Sequence, residues 1–234
     1  MTPAPYRVVE TDPSGPAVEV AVLRHRYGGH TVLQVEDWRV PRGADCVVLG
    51  PSGCGKTTLL NILAGLTTPS DGRVCVEGVE TTALSPAAMD RFRARRIGLV
   101  PQRLHLIAAI TVADNLRLAR RLAGLPPDED RLRDLLSRLG VGELAGRRPH
   151  ALSQGQAQRA AVARALINQP ALLLADEPTA ALDDKNAEGV ITLLREAARA
   201  NGATLIAASH DRRIADLFQH QLSLEVVTAP GGDA

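Results

Sequence analysis

Nine consecutive residues, Gly50-Pro51-Ser52-Gly53-Cys54-Gly55-Lys56-Thr57-Thr58, have the types and spacing of a phosphate cradle, G-x-x-x-x-G-K-[ST]. Glycines allow successive backbone N–H groups to turn inward as an anion nest. The N-terminus of a following helix adds the positive end of its dipole. Lys56 stands where it can reach the β- and γ-phosphates of a nucleotide, and the Thr57 hydroxyl where it can ligate Mg2+. Of the 27 basic residues only Lys56 and Lys185 are lysine, so a lysine at the position this chemistry demands is informative. The bland alternative is a glycine-rich strand-to-helix turn with an incidental lysine. Within the run, Cys54 reads as a small residue where one is required. The other reading, a reactive thiol at a helix N-terminus, stays open.

A second group of residues suits the same chemistry. Leu172-Leu173-Leu174-Ala175-Asp176-Glu177 is an apolar run ending in two carboxylates. Asp176 at a strand tip orients a Mg2+ shell, and Glu177 one residue later can serve as general base for an attacking water. Acidic residues capping the next helix would look the same. Further upstream, Leu152-Ser153-Gln154-Gly155-Gln156 contains a capping box, Ser153 with Gln156 three residues on. It starts an alanine-rich helix that stops near Asn168-Gln169-Pro170.

The elements around these residues predict an α/β protein. Val18 to Arg26 and Gln34 to Val40 alternate like strands, and Arg73 to Val79 follows the turn Ser70-Asp71-Gly72. Cys46–Leu49, Ile97–Val100, Leu172–Ala175 and Thr204–Ala208 are short apolar runs suited to buried parallel strands. Thr57 to Leu66 reads as a helix. Residues 111–167 read as mostly helical, broken at 124–127 and 140–149, which suggests an inserted helical lobe of about 103–165. Residues 1–17 read as a loose arm and 228–234 as a frayed tail, leaving 18–227 as the folded domain.

Composition narrows the function classes. The 234 residues suit one large domain or two associated lobes. A formal net charge of +1 and few aromatics (Trp 1, Tyr 2, Phe 2) argue against a nucleic-acid partner. Three cysteines without paired spacing give neither a disulfide framework nor a zinc site. No apolar run approaches the roughly 20 residues that span a bilayer, and no signal peptide is read at the start. A soluble, cytosolic protein is expected.

The motif Leu152 to Gln156 resembles the LSGGQ signature of ATP-binding cassette (ABC) ATPases, and the resemblance runs from about residue 18 to 225. Tyr27 is similar to the adenine-stacking aromatic upstream of the cradle, Gln102 to the Q-loop glutamine, Ala180-Ala181-Leu182-Asp183 to the D-loop, and His210 to the switch histidine. The resemblance implies a P-loop ATPase fold with an N-terminal antiparallel β-subdomain and an inserted α-helical subdomain. It implies ATP and Mg2+ as ligands, with Thr57, Gln102 and Asp176 around the metal. Glu177, His210, Gln102 and Lys56 would take part in hydrolysis. It also implies that Ser153, Gly155, Gln156 and Asp183 meet an ATP held by a second copy. Gln154 departs from the pattern, since the family has glycine there. A helical φ/ψ would leave its N–H available, because only Cβ and beyond are added.

The stretch Leu84 to Gln102, followed by Ile110-Thr111-Val112-Ala113-Asp114-Asn115, resembles the branch serving lipoprotein release, macrolide export and the cell-division complex. Ala108-Ala109 replace that branch's proline-containing turn. The expectation is a transporter's ATPase subunit working with a separate membrane permease on the cytoplasmic face of the membrane. The alternative is a nucleotide-gated regulatory module that signals through a membrane partner. The short spacing from Gln102 to Ser153 leaves no room for the coiled-coil insertion of repair-type cassettes. The arginines Arg91, Arg93, Arg95 and Arg96 read as a solvated helix face, or as a contact for anionic headgroups.

Overall fold

The short apolar runs become the core of a five-stranded parallel sheet of order β6-β7-β8-β3-β9 in a computed structural model, which describes residues 15–179 and 184–227. Residues 1–14, most of the expected arm, lie outside the described residues, as do 180–183 with the D-loop residue Asp183 and the tail from 228. The strands are β3 (Asp45–Leu49), β6 (Ile97–Val100), β7 (Leu172–Asp176), β8 (Thr204–Ser209) and β9 (His220–Ser223). Every residue of β3, β7 and β8 is buried, as a sheet covered on both faces requires. Alternate side chains feed two cores. Val47, Leu49, Leu173 and Ala175 join one cluster, and Cys46, Val48, Leu172 and Leu174 the other.

The second cluster is closed by an antiparallel sheet of order β2-β1-β4-β5, with β1 (Val18–Tyr27), β2 (His30–Val40), β4 (Asp71–Val76) and β5 (Val79–Glu80). Here simple alternation along β1 fails. Val22 is 49% exposed while Leu23 is fully buried, so the inward-facing set switches from Val18 and Val20 to Leu23 and His25. The cause is a bulge. Val22 has φ +48°, and the β1–β4 register shifts between Ala21 and Arg24. The neighbouring strand must then pass very close. Gly72, with φ +94°, is the residue that allows it, since a Cβ there would lie 2.3 Å from the Val22 carbonyl oxygen.

Helices cover the sheets. Two of them, α1 (Lys56–Leu63) and α2 (Pro86–Arg96), carry residues of the second cluster. In the middle of the chain α3 (Val112–Leu122), α4 (Glu129–Arg138) and α5 (Gln154–Leu166) each begin at a side-chain cap, Thr111, Asp128 and Ser153. Residues 103–111 form irregular chain before the first of them. A last helix, α6 (Asp184–Ala200), precedes β8. Strand β9 has no apolar signature (His-Gln-Leu-Ser) and was not anticipated from the sequence; it forms by pairing with β3.

Two of the α2 arginines have internal partners. Arg93 donates to the Gly65 carbonyl at 3.1 Å and Arg95 to the Ala123 carbonyl at 2.9 Å. These contacts tie α2 to the end of α1 and the end of α3, which is a structural use of the cluster.

Candidate active site

At the end of β3 the chain turns through 50–55 into α1. Gly55, the residue capping that helix, has φ +96°, and a Cβ there would lie 2.6 Å from the Val32 carbonyl oxygen. No side chain caps the helix, so its first-turn N–H groups have no side-chain acceptor and remain available to an anion. Cys54 is buried in the second core cluster, and its Sγ would lie 2.4 Å from a Cβ added at Gly50. The thiol is a packing group here, in keeping with the small-residue reading.

A cleft of about 410 Å3 opens beside this turn. Ser52, Gly53, Gly55, Lys56, Thr57 and Thr58 of the turn and α1 line it, with Tyr27 and Val32 of the antiparallel sheet. Gln102, Glu177 and His210, from beyond the ends of β6, β7 and β8, complete the lining. Lys56 is only 6% exposed, and its Nζ donates to the carbonyls of Gly50 (2.8 Å) and Pro51 (3.1 Å). The same Nζ pairs with Glu177 Oε1 at 3.2 Å, while Glu177 Oε2 lies 2.8 Å from His210 Nδ1. One carboxylate therefore stands between Lys56 and His210.

Glu177 is held there against backbone strain by its contacts with Lys56, His210 and the Ala208 carbonyl. It follows β7 with φ +46°, a left-handed conformation that costs a non-glycine residue on the order of 1–3 kcal/mol. Its N–H is fixed by the Ala208 carbonyl at 2.9 Å. Asp176, the last residue of β7, is buried and accepts the Thr57 hydroxyl at 2.9 Å on one oxygen and 3.2 Å on the other. Burial pushes its carboxyl pKa up. The Thr57 hydrogen bond opposes that shift, Glu177 adds to it, and Lys56 opposes it.

The residues of the signature motif do not line this cleft. Ser153, Gln154 and Gly155 sit exposed at the N-terminus of α5. Both capping-box bonds are made, Gln156 N to Ser153 Oγ at 3.3 Å and Ser153 N to Gln156 Oε1 at 2.9 Å. Gln154 is the first helical residue, so its N–H keeps the orientation of a helix N-terminus. A Cβ added at Gly155 would meet nothing within 4 Å.

Two further contacts had no signal in the local sequence. Arg164 on α5 donates to the Leu104 carbonyl at 2.8 Å and to the carbonyl of His105, a residue with φ +47°. The chain leaving Gln102 is thereby fastened to the helix that begins at Ser153, and burial pulls the Arg164 pKa down. In the cleft wall, Val32 stands where the β1–β2 register shifts between His25 and Arg26.

A parallel sheet with a phosphate cradle at the end of one strand, paired carboxylates at the end of another and an antiparallel lobe across the opening define a P-loop nucleotide-binding domain. The family model described as ABC transporter matches residues 33–180, and the chain belongs to that family. It is 43% identical over 208 residues to the lipoprotein-releasing system ATP-binding protein LolD of Anaeromyxobacter dehalogenans, covering 86% of this chain and 87% of that one. An uncharacterized ABC transporter ATP-binding protein of Mycobacterium bovis is 38% identical over 214 residues. That match covers 90% of this chain and 64% of the relative, so the chain spans less than two thirds of that relative's length. Among solved structures, the ATP-binding cassette MJ0796, in a dimeric post-hydrolysis state bound to ADP and Pi, superposes with a TM-score of 0.78. It is 31% identical, with 90% of this chain and 97% of that chain covered.

Proposed function

We propose that this chain binds and hydrolyses ATP with Mg2+ as the motor subunit of an ABC transporter, driving a separate integral membrane permease in export or extraction of a substrate. One observation carries the reading. Lys56, Thr57, Glu177 and His210 line one cleft, with Asp176 bonded to Thr57, while the N-terminus of α5 stands exposed and apart from it.

The residues present fit the ligands. The uncapped start of α1 and the buried Lys56 suit a polyphosphate. Thr57 and Asp176 offer the hard oxygen donors that Mg2+ takes, in the small number it uses when substrate phosphates and waters complete its shell. Held by Thr57 and Asp176, the ion would supply positive charge to offset that of the phosphates. Lys56 binds the phosphates as a point charge. Glu177, displaced from Lys56 by the incoming anion, is free to take a proton from water. His210 keeps one end of that carboxylate in place or turns to the phosphate. Tyr27 offers its ring to the base, and Gln102 at the rim reads whether the site is filled.

The exposed end of α5 has the opposite requirement. Gly155 is not in a left-handed conformation and has open space around it, so nothing among the described residues calls for glycine. A close approach from outside would. A second copy, head to tail, would bring its bound ATP to Ser153, Gly155 and Gln156 and complete both sites under two-fold symmetry. Asp183 belongs to the same contact in this reading. The dimeric MJ0796 cassette supports it, and the name of the LolD relative supports extraction as the task. Among the described residues no helix is long and apolar enough to cross a membrane, so the permease would hold the chain at the cytoplasmic face.

The test is Glu177→Gln, which keeps shape and hydrogen bonding but removes the base. Hydrolysis should fall by about 10²- to 10⁴-fold. Size-exclusion chromatography should show a dimer with ATP and a monomer with ADP. A monomer in both, well above micromolar protein, would overturn the sandwich for the isolated chain.

A further inference from the structure

His25 lies near the end of β1, 7% exposed, and neither ring nitrogen has a hydrogen-bond partner among the described residues. Buried polar groups without partners are rare because they lose water and gain nothing in return. A leucine of similar volume would satisfy the core better. What the imidazole does contact is Tyr27, two residues further along the strand. The ring centroids are 4.5 Å apart and the planes stand at 86°, the edge-to-face arrangement that aromatic pairs favour.

Tyr27 needs such a support. It is 55% exposed and lines the nucleotide cleft, so on a plain strand end its ring would sample several rotamers. The same level of the hairpin is fixed to the cradle. Leu33 pairs with His25 across β1 and β2, and its Cδ1 and Cβ lie 3.2 and 3.3 Å from the place of a Cβ on Gly55. The bulge at Val22 is what turns Leu23 and His25 inward along this strand. Ring, support and phosphate cradle are thus held at one height.

We propose that His25 is a positioning residue for nucleotide binding: the edge-to-face contact between the two rings holds the Tyr27 ring in the orientation that presents its face to the purine. The proposal rests on the reading of Tyr27 as the base platform. His25 itself touches no reacting group.

The experiment compares His25→Leu, His25→Phe, Tyr27→Ala and His25→Leu combined with Tyr27→Ala. Each is measured for ATP KM and kcat, and for affinity toward inorganic tripolyphosphate, which has phosphates but no base. His25→Leu keeps the buried volume and removes the aromatic ring. It should raise the ATP KM roughly 2- to 10-fold, the range of an aromatic pair, with kcat and tripolyphosphate affinity unchanged. His25→Phe should restore the KM. In the Tyr27→Ala background His25→Leu should add nothing. Equal weakening of ATP and tripolyphosphate would assign His25 to the packing of the cradle and overturn the proposal. So would an unchanged KM in His25→Leu when Tyr27→Ala raises it, which leaves the platform reading intact. An unchanged KM in Tyr27→Ala would sink the platform reading and the proposal with it.

Discussion

The two helix N-termini proposed to meet phosphate, those of α1 and α5, are built in opposite ways. At α1 the cap is Gly55, no side chain satisfies the first turn, and Lys56 beside it is buried and paired with Glu177. At α5 the cap is Ser153, whose hydroxyl takes the Gln156 N–H, and the end is exposed. The first takes Glu177 from the end of β7 as the partner of Lys56, and His210 from the chain after β8 as the partner of Glu177, so it is assembled by folding. The second is finished as local structure and, in the proposed reading, becomes part of a site only against a second copy. A helix that satisfies its own cap needs no ligand to complete its first turn, which is what a surface that meets a second copy would need. The cradle tolerates strain instead: a left-handed Glu177 and a buried Asp176 whose pKa is raised.

The largest effect that tests this contrast is Lys56→Ala. It removes the one buried cation of the cradle and leaves Glu177 with His210 alone. ATP hydrolysis should fall by at least about 100-fold, with weaker nucleotide binding, as when a preorganised electrostatic group is deleted. Turnover near that of the wild type would mean that the cradle does not face the phosphates. Ser153→Ala comes next. It breaks a capping box and should lower stability by about 1 kcal/mol, read as a fall in Tm of about 2–4 °C. Nucleotide affinity of the single chain should stay unchanged while ATP-driven dimerisation and hydrolysis decline. Loss of monomer affinity would erase the distinction between the two ends, since the effect would then arise within one chain.

The contrast also explains what could be read from the sequence. The cradle is contiguous, and each apolar run before it or before Asp176 suits a buried strand, so the α/β order and the place of Lys56 and Thr57 were legible. Signals failed where position depends on chain far away in sequence. Alternation gave no hint that Val22 is turned out and Leu23 in, because the bulge is stabilised by the close passage of Gly72 on another strand. Arg164 looks like any surface arginine of an alanine-rich helix until the carbonyls of Leu104 and His105 arrive beside it. The meeting of Lys56, Glu177 and His210 joins three separate strand ends, and the left-handed turn at Glu177 that permits it has no local signature.

The smallest effect concerns Gln154, where the family has glycine. Its side chain is exposed at the first position of α5, and the backbone there is already helical. Glycine at that position would leave the N–H groups where they are, so nucleotide affinity of the monomer should not move. Glycine in a helix weakens it by up to about 1 kcal/mol, and the first turn should lose less than that. The gain appears only when two copies close. A flexible glutamine pressed between α5 and a facing cradle loses rotamer freedom, at about 0.5–1.5 kcal/mol for a side chain of this kind. Removing it should tighten the ATP-bound dimer of the Glu177→Gln variant by roughly 2- to 10-fold, measured by sedimentation against protein concentration. An unchanged dimer constant would place the Gln154 side chain outside the interface, pointing along the surface rather than into the facing nucleotide. A weaker dimer would mean that its amide makes a contact with the partner that glycine cannot, and that this chain's signature has a compensating bond of its own.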